Sequence, residues 1–182
     1  MEITLQELLD SRDARVEHQK KLAREFPRAS LVCFTVILPG PVKRDDRSLA
    51  IARAGVQAIL KTFDSAIIFQ EERDLATGFE AYFVVNLPAV EVKRICCGIE
   101  DSHPLGRLMD IDVIADSSVS PGMTGESSIR PLGRAEIGLP ERRCLLCEKP
   151  ARVCMRAHSH TREEIDAKIG SLLRENGFSD KE

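Results

Sequence analysis

The sequence predicts an α/β or α+β fold, a mixed sheet flanked by helices, on three observations. Stretches with helical apolar spacing alternate with short runs of Val, Ile, Leu and Phe from Thr4 to Ala115. The 182 residues amount to about one domain, long enough to bury a core without disulfide staples. With 43% apolar and 30% charged residues, the chain has the balance of a folded globular protein.

Each element follows in order. Thr4-Leu5-Gln6-Glu7 is a capping box, and Leu5, Leu8, Leu9, Val16 and Leu22 recur at helical spacing until Pro27, so a long helix comes first. Ser30 to Leu38 has strand chemistry and ends at the breaker Pro39-Gly40-Pro41. Asp46 to Phe63, carrying Leu49, Ile51, Ala52, Val56, Ile59 and Leu60, is a helix, and Ala66 to Phe69 is a short buried strand. Gly78 to Leu87 forms another strand, and Pro88 opens a helix from Ala89 to Ile99 whose Cys96 and Cys97 belong to the core. Leu108 to Ala115 alternates apolar and acidic residues, as a strand with one special face does. Asp116 to Ser128 is a Ser/Gly-rich loop, and Thr161-Arg162-Glu163-Glu164 caps a last helix through Ile165, Ile169, Leu172 and Leu173 that stops near Gly177.

Composition excludes some functions. Net charge is -3, with seven Phe, one Tyr and no Trp, so the stacking platforms and positive charge of a nucleic-acid binder are missing. No run approaches the ~18 apolar residues of a membrane span. Glu2, Glu7 and Asp10 stand where a secretory signal would be apolar, so the expected location is the cytoplasm. In that reducing compartment the six cysteines are core thiols or metal ligands. Residues 129–182 form a basic, Cys/His-containing segment within one domain spanning 1–182. From Ile129 to Arg162 eight basic residues face three acidic ones, locally about +5.

Asp110 and Asp112 lie two apart, so on a strand both carboxylates project from one face. Such a hard-oxygen pair suits Mg²⁺ and phosphate chemistry, against the alternative of a solvated strand face. Arg107 offers a bidentate phosphate grip or, alternatively, an ion pair with Asp110 or Glu100. His103 is a candidate general base or phosphate donor, or an exposed loop residue before Pro104. Gly40 permits close backbone approach, and Lys43 beyond it either reaches a polyphosphate or is solvated. Cys144, Cys147 and Cys154 with His158 and His160 read C-x2-C-x6-C-x3-H-x-H, a thiolate and imidazole set for one structural Zn²⁺; the alternative is buried small thiols.

Together these residues resemble the apo-citrate lyase phosphoribosyl-dephospho-CoA transferases, also called holo-citrate lyase acyl carrier protein synthases. The matching stretches are Leu8-Leu9-Asp10-Ser11-Arg12 with Arg15, then Pro39-Gly40-Pro41-Val42-Lys43, and Gly106-Arg107-Leu108-Met109-Asp110-Ile111-Asp112-Val113. They continue with Ser128-Ile129-Arg130, Arg143-Cys144-Leu145-Leu146-Cys147 and Ala151-Arg152-Val153-Cys154-Met155-Arg156, with His160 and Glu164 beyond. The family's tail pattern Cys-x-Arg-Ser-Arg-x-His-Ser carries Ala157, His158 and Thr161 at three positions, and its histidine matches His160, the preferred fourth zinc ligand over His158.

The resemblance implies a nucleotidyltransferase-like domain. Such an enzyme transfers 2'-(5''-triphosphoribosyl)-3'-dephospho-CoA to a serine of the acyl carrier subunit of citrate lyase, releasing diphosphate. Asp110 and Asp112 then hold Mg²⁺, and Arg107, Lys43 and Arg130 hold the triphosphate. The third carboxylate is open among Glu80, Asp116 and Glu126. Where nucleotidyltransferases carry Gly-Gly or Gly-Ser about ten residues before the Asp pair, this chain has Gly98-Ile99. The basic C-terminal segment is expected to dock the acidic carrier. Alternatives are the corresponding synthase for malonate decarboxylase and a non-catalytic, zinc-stabilised carrier adaptor.

Overall fold

A computed structural model describes residues 2–116 and 129–178, apart from the side chains of Ala115 and Asp116. The loop expected after Asp116, including Glu126, lies outside the described residues, as does the Asp116 side chain.

The first helix, α1 (Leu5–Glu25), is capped as its sequence dictates: Thr4 Oγ1 accepts from Glu7 N–H, and the Glu7 carboxylate accepts from Thr4 N–H at 2.8 Å. Its apolar stripe does not behave as expected. Leu22 is buried, whereas Leu5 is 72% exposed and Leu9 and Val16 are each 43% exposed. Only the C-terminal end of α1 puts a fully buried apolar side chain into the core; further toward its N-terminus, Ser11, Arg15 and His18 make polar contacts with Thr77, Glu80 and Glu71, and the His18 ring also meets the Tyr82 ring edge-on at 4.6 Å.

The strands β1 (Ser30–Val36), β2 (Ile67–Leu75), β3 (Gly78–Val85), β4 (Met109–Asp116) and β5 (Ile129–Pro131) form one sheet in the order β2-β3-β1-β4-β5. Helix α2 (Asp46–Phe63) carries the chain from β1 across β3 to β2, and α3 (Ala89–Ser102) carries it from β3 across β1 to β4. Each crossover skips a strand, so strands that run the same way are never neighbours. Every pairing is therefore antiparallel, and the class is α+β with the split crossovers of a ferredoxin-like core. The short buried strand expected at Ala66 to Phe69 is a nine-residue edge strand, β2, whose residues alternate between half-buried and exposed. Among the described residues it pairs only with β3, which explains both its exposure and its charged Glu71, Glu72 and Arg73.

Helices α2 and α3 cover one face, where Ile51, Ile59, Val92 and Cys96 meet Val32, Phe34, Phe83, Ile111 and Val113. The other face packs Leu31, Cys33, Tyr82, Val84 and Ile114 against Leu22 of α1. Beyond β5 the chain forms α4 (Ala151–Ala157), which the sequence reading did not anticipate, and α5 (Arg162–Glu175), which it did. Ile169 and Leu173 of α5 join the main core beside Leu38, Leu105 and Leu108. That contact brings the C-terminal segment to the end of β1 and the start of β4.

Candidate functional site

Strand β4 builds the site. Asp110 lies opposite Thr35 and Asp112 opposite Cys33 on β1, so the two carboxylates share one sheet face as their spacing requires. Their side chains are 50% and 41% exposed. A turn at Gly106 leads into the strand. A Cβ on Gly106 would lie 2.5 Å from the Glu100 carbonyl oxygen, so only glycine lets this turn pack on the end of α3.

The outer edge of β4 is unusual. β5 pairs with it only at Ile114, Ala115 and Asp116. Leu132 N–H still donates to the Val113 carbonyl at 2.8 Å, and before that side chains take over: Arg142 donates to the Met109 carbonyl at 2.6 Å, Glu100 accepts from Ile111 N–H at 3.0 Å, and Lys93 donates to the Ile111 carbonyl at 3.0 Å. The same groups surround the acid pair. Arg142 stands 3.8 Å from Asp110, and Lys93 stands 3.7 Å from Asp112. Although half of its side-chain surface is open, Asp110 is raised to about 6 by partial desolvation from the surrounding protein, reinforced by the neighbouring Asp112 and Glu100 carboxylates. Burial also raises Asp112, with Lys93 opposing.

The structure brings only some of the expected residues to this centre. Arg107 donates to the Arg143 carbonyl and forms no ion pair with Asp110 or Glu100 among the described residues. Instead Arg134 pairs with Glu100 and Asp101, both at 2.8 Å. His103 accepts from Leu105 N–H through Nδ1 at 3.0 Å, which commits that nitrogen to the turn after α3. Lys43 donates to the Leu38 carbonyl at 2.6 Å, and burial together with the nearby Arg162 lowers its pKa. Gly40, at φ +88°, does allow a close approach, but the neighbour is Arg162: a Cβ would lie 1.8 Å from its Nη1. Arg130 makes a two-bond pair with Glu136 at 2.8 and 2.6 Å on β5, away from the acid pair. Glu80 shares the Asp face, two strands away, and is 3% exposed. It is held by Arg15 at 2.8 Å and by the Tyr82 hydroxyl at 2.5 Å.

The second centre is the Cys/His cluster. One ligand atom from each of Cys144, Cys147, Cys154 and His160 lies within 4.8 Å of the others. Cys147 and Cys154 sulfurs are 3.5 Å apart, far beyond the ~2.05 Å of a disulfide and near the ~3.8 Å edge of a tetrahedral thiolate site. A tight turn shapes it, with Cys144 N–H donating to the Lys149 carbonyl at 2.7 Å. Burial opposes ionisation of Cys144, yet N–H groups of Leu146 and Cys147 and the neighbouring thiols outweigh it and bring the thiol to about 7. His160 Nε2 is buried without a hydrogen-bond partner among the described residues, as a metal-directed nitrogen would be. His158 ends α4 in the left-handed region and is exposed. This donor set fits a tetrahedral metal ion.

A cavity of about 730 Å³ connects the two centres. Asp110, Arg107, Arg142 and Arg143 line it together with Cys144, Cys154 and His160, and Leu38, Leu145, Leu146, Ile165 and Ile169 supply apolar wall. Sequence reasoning gave no catalytic-site part to Arg142, Lys93, Arg15 or, beyond a possible ion pair, Glu100. A signal for two of them was present: Lys93 and Glu100 are charged residues on the helical face that carries Val92, Cys96 and Ile99. Two of the eight basic residues in that segment also turn inward, since Arg134 and Arg142 neutralise acids of α3 and β4.

Comparison with known proteins gives the family. The profile of a family described as apo-citrate lyase phosphoribosyl-dephospho-CoA transferase matches residues 3–176. An Escherichia coli O1:K1 protein named apo-citrate lyase phosphoribosyl-dephospho-CoA transferase is 38% identical over 177 residues, covering 95% of this chain and 90% of that one. A Streptococcus pyogenes serotype M18 protein named as a probable enzyme of this kind is 34% identical over 172 residues, covering 94% and 85%. The chain is therefore a transferase belonging to the apo-citrate lyase phosphoribosyl-dephospho-CoA transferase family.

Proposed function

We propose that the protein transfers the 2'-(5''-triphosphoribosyl)-3'-dephospho-CoA group to a serine of the citrate lyase acyl carrier subunit and releases diphosphate. The single observation that carries the mechanism is the position of Asp110: it faces the same way as Asp112 and opens into a cavity whose polar wall is Arg107, Arg142 and Arg143. Asp110 and Asp112 would hold Mg²⁺, which when bound supplies charge stabilisation for the phosphate oxygens. The arginines of the cavity wall orient the triphosphate, and the apolar wall accepts the less polar arm of the substrate. The serine oxygen then bonds to the phosphorus nearest the ribose, the bond from that phosphorus to the diphosphate breaks, and the hydroxyl proton passes to water. A phosphodiester joins carrier and prosthetic group.

The Cys144, Cys147, Cys154 and His160 set would hold Zn²⁺ in a closed structural site, keeping one cavity wall in place. The carrier would dock beside α4, where Met155 is 74% and Val153 47% exposed next to Arg152 and Arg156. Lys43 and Arg130 would serve the substrate only by leaving the partners they hold here. Cytoplasmic location accords with the reduced cysteines this site requires.

Labelled prosthetic-group precursor, incubated with the purified protein and the apo carrier subunits of citrate lyase and malonate decarboxylase, tests the reading. Labelling of the citrate lyase carrier is the expected result. Preference for the other carrier would reassign the partner, and absence of labelling on both would leave an adaptor.

A further inference from the structure

Among the described residues, the stretch of β4 that bears the two aspartates has no strand beside it on its outer edge, because β5 begins to pair only at Ile114 and the following Leu132 N–H reaches no further than the Val113 carbonyl. The residue between the aspartates, Ile111, points its N–H and its carbonyl to that open edge. Both are taken by α3: Glu100 accepts from the N–H at 3.0 Å and Lys93 donates to the carbonyl at 3.0 Å. Lys93 is 5% and Glu100 4% exposed, and burial of two charged side chains is costly unless they are paired and hydrogen-bonded. They are seven residues apart on α3, thus about two turns apart on one face, and converge on a single peptide segment. Glu100 is itself fixed by Arg134 at 2.8 Å and Arg142 at 3.8 Å, while Lys93 lies 3.7 Å from Asp112.

We propose that Lys93 and Glu100 are positioning residues that clasp the Ile111 peptide and thereby set the spacing and direction of the Asp110 and Asp112 carboxylates. The inference rests on the reading of those aspartates as the catalytic pair. An ordinary neighbouring strand would pair the backbone as well, but it would not place a cation beside Asp112. The clasp does both with one helix face, in the way outer groups orient the ligands of a metal site.

The test uses the full chain with Lys93→Met, Glu100→Leu, Glu100→Gln and Asp112→Asn. Turnover is measured per folded molecule, together with the KM for the carrier and exchange of the Ile111 amide without substrate or added magnesium. Lys93→Met is expected to lower kcat by ~10- to 100-fold with the carrier KM unchanged. Glu100→Leu should do the same and speed exchange at Ile111, whereas Glu100→Gln, which keeps a carbonyl for that N–H, should recover most of both. Should Glu100→Leu not fold, Lys93→Met and Glu100→Gln decide the matter. Inactive Asp112→Asn beside fully active, folded Lys93→Met and Glu100→Leu overturns the clasp alone. Full activity in Asp112→Asn overturns the catalytic pair, and the purpose of the clasp with it.

Discussion

The Arg142 guanidinium lies 3.8 Å from the Asp110 carboxylate and donates to the Gly106 and Met109 carbonyls at 2.9 and 2.6 Å. One side chain thus fastens the residue beside the Cys knuckle to the strand that carries the acid pair. Its neighbour Arg143 is 71% exposed and pairs with an exposed Glu148.

The two arginines should therefore separate on mutation. Arg142→Gln is expected to destabilise the fold by ~1.5–3 kcal/mol, the scale of charged hydrogen bonds lost from a mostly buried site, as read by chemical denaturation. Arg143→Glu should stay within ~0.5 kcal/mol of the parent. Equal stabilities for the two variants would refute the fastening role.

Metal content is the next expectation. Protein purified without added metal should contain about one zinc per chain. Cys147→Ser and His160→Ala should lose it, and His158→Ala should keep it, because His158 is exposed outside the ligand set. Chelation should raise amide exchange around the knuckle while the sheet stays protected. Metal-free protein in which Cys144→Ser folds normally would show the cysteines to be plain thiols.

For the acid pair, Asn keeps the shape of Asp and removes its charge. Asp112→Asn should fold, bind the carrier and lose ~10²-fold or more of its transfer rate, roughly 2.7 kcal/mol of transition-state stabilisation. Asp110→Asn should match it, and the double variant should be little worse, since the two act as a unit. Near-normal rates in both single variants would make this strand face merely solvated.

The raised proton affinity of Asp110 has a consequence for stability. Burial first, then the Asp112 and Glu100 charges, move it from 3.8 to about 6, so the folded state disfavours the ionised form. The parent gains stability from this group as pH falls from about 6 to 3.8, and carries the penalty in full above about 6. In magnesium-free buffer Asp110→Asn should accordingly melt higher than the parent at neutral pH, with the advantage fading as pH falls through that window. A pH-independent difference would contradict the assignment.

Docking charge can be tested without touching the cavity's interior ties. Arg156→Glu together with Arg152→Glu should weaken transfer to the carrier and flatten its salt dependence, because complementary charge acts mainly on the association rate. Unchanged kinetics from ~50 to 300 mM salt in the parent would count against electrostatic docking, given how the screening length shrinks over that range.

The sequence by itself determined the elements whose signals are local. Thr4 and Thr161 cap α1 and α5 because a hydroxyl and a glutamate three residues on can satisfy the first free N–H groups without help from the rest of the chain. The two-residue spacing of Asp110 and Asp112 fixed their common face, since strand geometry alone alternates side chains. The cysteine spacing likewise offered Cys144, Cys147 and Cys154 as ligands with either of two histidines, the family resemblance favoured His160, and the fold draws one ligand atom of each within 4.8 Å. Tertiary structure alone decided what those elements face. The exposure of Leu5, Leu9 and Val16 depends on where α1 crosses the sheet, and the edge position of β2 depends on a crossover that skips β3. Gly40 shows the same limit: its positive φ and lack of a side chain are used, but by Arg162, more than a hundred residues later. Lys93, Glu100 and Arg142 are joined to the acid pair only because β5 starts late and leaves main-chain groups of β4 for distant side chains to satisfy. A buried N–H or carbonyl must find a partner, but which residue supplies it is settled by packing across the fold and leaves no local pattern in the chain.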